Sequence, residues 1–243
     1  FSNPDERAKL RSIESELGKD VFGQPIAIKM VARGTRARKL NPAMYQPTAF
    51  LFLGPTGGGK SELAKAMAGV IYGDPNRIER FDMGNVKNNH DFANIFNPPK
   101  GVVGSGTISP FEKFLSDFPE GAVGLFDEIG NMGSSEVPKG QLMAKFYPIL
   151  DEGKWVSPQG KVYDLRKYRF VFTSNEGEEF FQGLTTDDLR LAQSKLVNNR
   201  ETLRDFLIRQ HRWPEAFVGR FKGNITLFEP IVAAVREKIA RKF

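Results

Sequence analysis

The chain has 243 residues, enough for one large α/β domain with little room for a second, and its apolar content of 40% with 21 phenylalanines implies a bulky buried core. The absence of cysteine excludes disulfides, thiolate metal sites and a thiol nucleophile and fits a reducing, cytoplasmic setting, while two histidines, His90 and His211, argue against a histidine-based metal centre. The net charge is +6, no run approaches the roughly 18 apolar residues of a membrane span, and no signal peptide is visible, although the missing initiator Met leaves the natural N-terminus open.

In chain order, residues 3–20 are expected to form a polar amphipathic helix with Leu10, Ile13 and Leu17 at helical spacing. Val21-Phe22-Gly23-Gln24 reads as a turn, Pro25 opens a second helix running to about Lys39, and Asn41-Pro42 breaks it. This second helix carries Lys29, Arg33, Arg36, Arg38 and Lys39 with no acid between Ile28 and Leu40. The stretch reads either as a nucleic-acid patch or as a solvated face near a nucleotide or a neighbouring subunit. The second is favoured, because no aromatic residues interleave the charges as a stacking surface requires.

The first core strand is predicted at 49–53 and the second at 78–81, followed by an Asn-, Gly- and Pro-rich segment, 84–110, of loop with short helical pieces. A helix at 111–118 precedes a third buried strand, 122–126, and a helix near 141–150 leads into a hairpin of 154–156 and 161–163. A fourth core strand is placed at 169–173, helical stretches at 185–210 and a fifth strand at 224–228. Nearly continuous apolar strands alternating with helices imply a five-stranded, mostly parallel sheet covered on both faces, an α/β fold.

Directly after the first strand stands Gly54-Pro55-Thr56-Gly57-Gly58-Gly59-Lys60-Ser61, which fits G-x-x-x-x-G-K-[ST], with a helix from Glu62 to Ala68 behind it. Glycines let backbone N–H groups close around phosphate oxygens, and the helix N-terminus adds partial positive charge. Lys60 is expected to reach the β- and γ-phosphates and Ser61 to ligate Mg²⁺. The third strand ends in Asp127-Glu128, which puts two carboxylates at the C-terminal edge of the sheet beside the phosphate loop. There Asp127 is expected to hold Mg²⁺ through water and Glu128 to orient or deprotonate the attacking water. Thr173-Ser174-Asn175 follows the fourth strand, where Asn175 can face the γ-phosphate or the lytic water; alone, Ser-Asn there is also an ordinary turn. Arg220, in the segment 214–221, reads equally as a finger offered to a neighbour's γ-phosphate or as a surface arginine in a salt bridge. Gly101-Val102-Val103-Gly104 reads either as an exposed hydrophobic tip or as a buried turn.

Taken in order, these motifs resemble the AAA+ ATPases and, within them, the C-terminal ATPase module of the Clp heat-shock unfoldases. Leu10 to Gln24 looks like that family's entry helix and adenine-side box, and Phe50 to Lys65 its Walker A segment, Glu62 included. Phe81-Asp82-Met83 follows at the expected distance. Leu125 to Ile129 resembles Walker B, Thr173 to Gly177 sensor 1, and Pro214 to Arg220 the arginine-finger segment.

The resemblance implies an ATP- and Mg²⁺-dependent ATPase in a ring, a hexamer, with sites shared between subunits. Gly54 to Glu62 would bind nucleotide, with Val21 and Phe22 flanking the adenine. Arg220 would act in trans, and Val102 and Val103 would form the pore loop of a motor that threads protein. It further implies that residues 1–243 are the large nucleotide-binding subdomain, with 1–20 the entry helix and 231–243 the start of the small helical subdomain. Four departures stand out: Val102 where the family has an aromatic, Gly219 with an apparent insertion at Ala216, Gly130-Asn131 in place of charged residues, and an end at Phe243 before any sensor 2 arginine. Two other readings follow: a nucleotide-gated scaffold with little turnover, and an AAA+ motor on nucleic acid supported only by the basic stretch.

Overall fold

The structure is a computed structural model that describes residues 4–96, 108–181 and 200–241. Its strands are β1 (Thr48–Leu53), β2 (Ile78–Asp82), β3 (Val123–Asp127), β4 (Lys154–Val156), β5 (Val162–Asp164), β6 (Arg169–Thr173) and β7 (Ile225–Leu227). Among them run helices α1 (Pro4–Asp20), α2 (Pro25–Leu40), α3 (Lys60–Tyr72), α4 (Asn89–Phe96), α5 (Pro110–Asp117), α6 (Lys139–Ala144), α7 (Tyr147–Asp151), α8 (Arg200–Asp205), α9 (Glu215–Gly219) and α10 (Ala233–Ala240).

Five strands form one sheet in the order β2-β3-β6-β1-β7, with every pair parallel, and β4 and β5 form a separate antiparallel hairpin. This is the predicted five-stranded α/β architecture. β1, β3 and β6 are buried along their whole length, which is why their sequences run apolar instead of alternating. Alternate residues then feed two different cores. Leu51, Leu53, Phe81, Phe126, Phe170 and Phe172 face one core, shared with α4 to α7, the hairpin and α9. Phe50, Phe52, Val123, Leu125 and Val171 face the other, shared with α1 to α3.

The first core is built from rings. Phe126 stacks on Phe172 at 4.9 Å between centroids and on Phe81 at 5.2 Å, and it meets Phe146 edge-on at 5.1 Å. Offset and edge-to-face pairs of this kind contribute beyond the apolar area they bury.

Several elements differ from expectation. β2 lies at the sheet edge, and only Phe81 is buried there: with β3 as its one neighbour, an edge strand tolerates the exposed Glu79 and Arg80. The helix expected near 141–150 is two, α6 and α7. Residues 200–210 are helical with a π turn at Phe206–Gln210, while 185–199 lie outside the described residues. The basic face of α2 is solvated at Lys29, Arg33 and Lys39 but not at Arg38. That side chain is buried, and its guanidinium donates to the carbonyls of Met44 (2.6 Å) and Arg166 (3.1 Å). Burial, then the neighbouring Arg169 and Arg166, hold its pKa below the usual arginine range.

Because Phe126 sits at the crossing of these ring contacts, Phe126→Ala is expected to cost about 3–5 kcal/mol in urea unfolding. Val156→Ala, on the exposed face of the hairpin, should fall within about 0.5 kcal/mol of the parent.

Candidate functional site

Since β1, β3 and β6 are parallel neighbours, the loops that leave their C-terminal ends open on one edge of the sheet. The loop after β1 is Gly54 to Gly59, and it runs into α3 at Lys60. Gly54, at φ 119°, passes so close to the carbonyl of Phe228 that any Cβ would collide with it. Gly57 and Gly59, at φ 77° and 92°, adopt left-handed backbone, and among the described residues nothing lies within 4 Å of where a side chain would begin. The loop therefore packs on its inner side and leaves open space on its outer side. That space, bounded by turn N–H groups and the start of a 13-residue helix, fits an anionic phosphate. Pro55 is buried, and Thr56, Ser61 and Glu62 are exposed around the opening.

Lys60 is drawn back into the loop. Its Nζ donates to the carbonyls of Gly54 (2.6 Å) and Pro55 (2.9 Å) and to Oδ1 of Asn175 (3.1 Å), so the loops after β1 and β6 meet at this ammonium. Burial pulls its pKa down to about 8, opposed only in part by Asp127, Glu128 and Glu178.

The two acids after β3 are held by Thr173, at the end of β6. The Thr173 hydroxyl donates to Oδ1 of Asp127 and accepts from the backbone N–H of Glu128 at 3.0 Å. The other oxygen of Asp127 pairs with Arg80 at 2.7 Å. Glu128 occupies left-handed backbone, φ 58°, a conformation that costs a residue with a long side chain about 1–3 kcal/mol unless its surroundings fix it. Here they do: besides Thr173, the carbonyl of Glu128 accepts from Asn131 N at 3.0 Å, and its Oε2 accepts from Asn131 Nδ2 at 3.1 Å. The turn aims the Glu128 carboxylate at Gly84 in the loop after β2.

On the adenine-side turn, Val21 is buried in the core and Phe22 is half-buried. Gln24 does more than the sequence indicated. Its buried amide donates to the carbonyls of Gly58 and Glu229, both at 2.9 Å, and accepts from Glu229 N at 3.0 Å. The phosphate loop is thereby pinned to the segment after β7.

Arg220 stands apart from this edge. Its guanidinium pairs with Asp151 of α7 at 2.5 Å, donates to the carbonyl of Ala216 and lies 3.8 Å over the Tyr147 ring. Within the chain, the salt-bridge alternative is therefore what the arginine does. Val102 and Val103 lie outside the described residues. Thr173 and Gln24 were part of the motifs without a role; their signal was a polar side chain at a strand end and after a glycine turn. Arg80 carried no signal, since a charged residue in an edge strand is ordinary. Among the described residues no three acids or histidines gather to hold a metal unaided, so a cation here would rely on phosphate oxygens as well.

Residues 46–223 match the family described as AAA domain (Cdc48 subfamily). The chaperone protein ClpB of Aquifex aeolicus is 30% identical over 238 residues, which is 97% of this chain and 23% of that protein. In structure, the chain superimposes on an S. cerevisiae Hsp104-ADP complex with a TM-score of 0.76 at 27% identity, covering 99% of this chain and 39% of the other. A closed-state reconstruction of Hsp104 with ATPγS and FITC casein gives 0.73 at 27% identity, with the same coverage. The chain thus spans less than half the length of these relatives. It belongs to the AAA family and is a Clp-type AAA+ ATPase module.

The depressed pKa of Lys60 has a sign that can be tested. An unfolded lysine titrates near ~10.4, so between about 8 and ~10.4 the unfolded chain binds more protons than the folded one. Stability of the nucleotide-free chain should therefore rise with pH across that window, the penalty of the buried charge being complete below it. An NMR titration of Lys60 should give a midpoint of about 8, and Lys60→Met should flatten the pH dependence of urea unfolding in the same window.

Proposed function

We propose that this AAA module hydrolyses ATP with Mg²⁺ at a site shared between adjacent copies in a hexameric ring, and that the turnover drives the remodelling of protein substrates. The observation that carries this reading is the meeting of three loops at one sheet edge. Lys60 contacts Asn175, while Asp127 and Glu128 share Thr173, all beside an open glycine cradle.

In this reading Gly54 to Glu62 take the nucleotide phosphates, with Val21 and Phe22 beside the base. Lys60 exchanges the carbonyls of Gly54 and Pro55 for β- and γ-phosphate oxygens. That partner swap suits a buried ammonium whose charge is poorly compensated without ligand. Ser61 and Asp127 would hold Mg²⁺, which when bound supplies charge neutralisation on the phosphate oxygens. Arg80 then loses part of its hold on Asp127. Glu128, aimed by its left-handed turn, orients the attacking water and accepts its proton, and Asn175 contacts the γ-phosphate. Phosphoryl transfer asks mainly for such positioning and charge stabilisation.

Arg220 completes the site of the neighbouring copy after leaving Asp151, and such arginines are worth about 10³–10⁵ in rate. Residues 1–243 would form the large subdomain, with 1–20 the entry helix and 231–243 opening a small helical one. The protein substrate is inferred from relatives described as a chaperone and as Hsp104 with casein. The engagement of Arg220 within its own chain also suits the second reading, a scaffold that binds nucleotide and turns over little.

Mixing subunits separates these readings. Glu128→Gln and Arg220→Ala proteins, each inactive alone, are expected to regain ATP hydrolysis on mixing. Mixed interfaces in which the Arg220→Ala subunit supplies Glu128 and the Glu128→Gln subunit supplies Arg220 then carry both residues intact, and those in the reverse order carry neither. No recovery, with subunit exchange verified by fluorescence transfer and the parent active, removes Arg220 from its role in trans.

A further inference from the structure

Glu176, next to Asn175, gathers donors from three parts of the fold. Its carboxylate accepts from Ser174 Oγ (2.5 Å), Lys139 Nζ of α6 (2.7 Å) and the indole Nε1 of Trp213 (3.0 Å), and it faces Nδ1 of His211 at 3.2 Å. Its backbone carbonyl accepts from the N–H of Gly54, the first residue of the phosphate loop, at 3.0 Å. The position exists because residue 130, just behind Asp127-Glu128, is glycine: any Cβ there would collide with the Glu176 carboxylate and the Ser174 hydroxyl. Trp213 is buried, packs on Phe217 of α9 at 5.9 Å and stands two residues before that helix, whose end leads directly into Arg220.

We infer that Glu176 is a positioning residue that couples Asn175 and the phosphate loop to α9, and through α9 to Arg220. A continuous series of contacts supports this: Lys60 to Asn175, the backbone step to Glu176, Glu176 to Trp213, Trp213 to Phe217 of α9, and α9 to Arg220. A carboxylate shared by this many donors resists partial displacement, because each donor left behind is buried or half-buried and without its acceptor. The connection is therefore made or broken as a unit in this proposal, which is the behaviour that coupling between distant sites requires. Charge fits this role as well: Lys139 supplies a cation against Glu176 in a place only 13% exposed on the acid's side, so the pair is screened far less than the surface pairs. In this arrangement the occupancy of one copy's nucleotide site sets the posture of the arginine it offers to the next.

The inference rests on the assignment of Asn175 above, and the experiment keeps the two apart. In the intact protein, kcat and KM for ATP and the ATPγS-induced change in tryptophan emission that is lost on Trp213→Phe are measured. The variants are Glu176→Ala, Glu176→Gln, Gly130→Ala and Asn175→Ala. Glu176→Ala is expected to lower kcat about tenfold with KM within about twofold, in the range of ordinary coupling, and to abolish the Trp213 signal. Glu176→Gln, which keeps an acceptor for the indole, should restore part of both. Gly130→Ala, which displaces the carboxylate without removing it, should reproduce Glu176→Ala and serves if that variant does not fold. If Asn175→Ala lowers kcat while the Trp213 signal survives in Glu176→Ala or Gly130→Ala, the coupling is wrong and the Asn175 assignment stands. If Asn175→Ala leaves kcat unchanged, both fall.

Discussion

Parallel pairing of β3 and β1 with β6 is the constraint on which the rest of the site depends. Only in parallel do three successive strand ends deliver a glycine loop, a pair of acids and a polar turn to the same edge. Thr173 converts that coincidence of position into geometry. One hydroxyl, at the end of the central strand, fixes the side chain of Asp127 and the backbone of Glu128 together, so neither acid can shift without the other. The cost of the left-handed turn at Glu128 is borne by these bonds, and its result is a carboxylate pointing across the edge instead of along the strand.

The charges at this edge are arranged for something not of the chain itself. Lys60 is buried among carbonyls and, among the described residues, donates to no carboxylate, while Asp127 is neutralised by an arginine from an edge strand. Both arrangements are provisional in energetic terms. A buried ammonium with a pKa of about 8 is held in a form its surroundings disfavour, and an arginine that is mostly exposed binds its partner weakly. In the proposed function, a phosphate chain with its cation would offer each a better partner. The edge thus stores a charge mismatch at Lys60 that an anionic ligand would relieve.

Much of this could be read from the residues. The strands announced themselves because both faces are buried, so apolar runs such as Phe50-Leu51-Phe52-Leu53 had no alternative. The phosphate loop was legible because its glycines serve backbone angles that other residues avoid. β2 was taken for a core strand because Phe81 is strongly buried, yet the charge at Glu79 and Arg80 already marked an edge. What sequence could not supply is pairing across long separations: Gln24 with Glu229, Arg80 with Asp127, Glu176 with Lys139 and Trp213. Each joins residues whose local patterns are unremarkable, and their proximity exists only once the sheet order is known. Arg38 shows the converse, a residue that composition places on the surface and that carbonyl acceptors allow inside.

Gln24 is also a mechanical link. Its amide ties Gly58 of the phosphate loop to Glu229, three residues before the cap of α10, and Gly23 beside it lies under Val235 of that same helix. Only residues 230–232 separate the Gln24–Glu229 bonds from the helix. α10 is consequently a short lever with its fulcrum at the turn 21–24: a displacement of the helix strains first the two hydrogen bonds that Gln24 shares with Glu229 and then, through the same amide, its one bond to Gly58 of the phosphate loop.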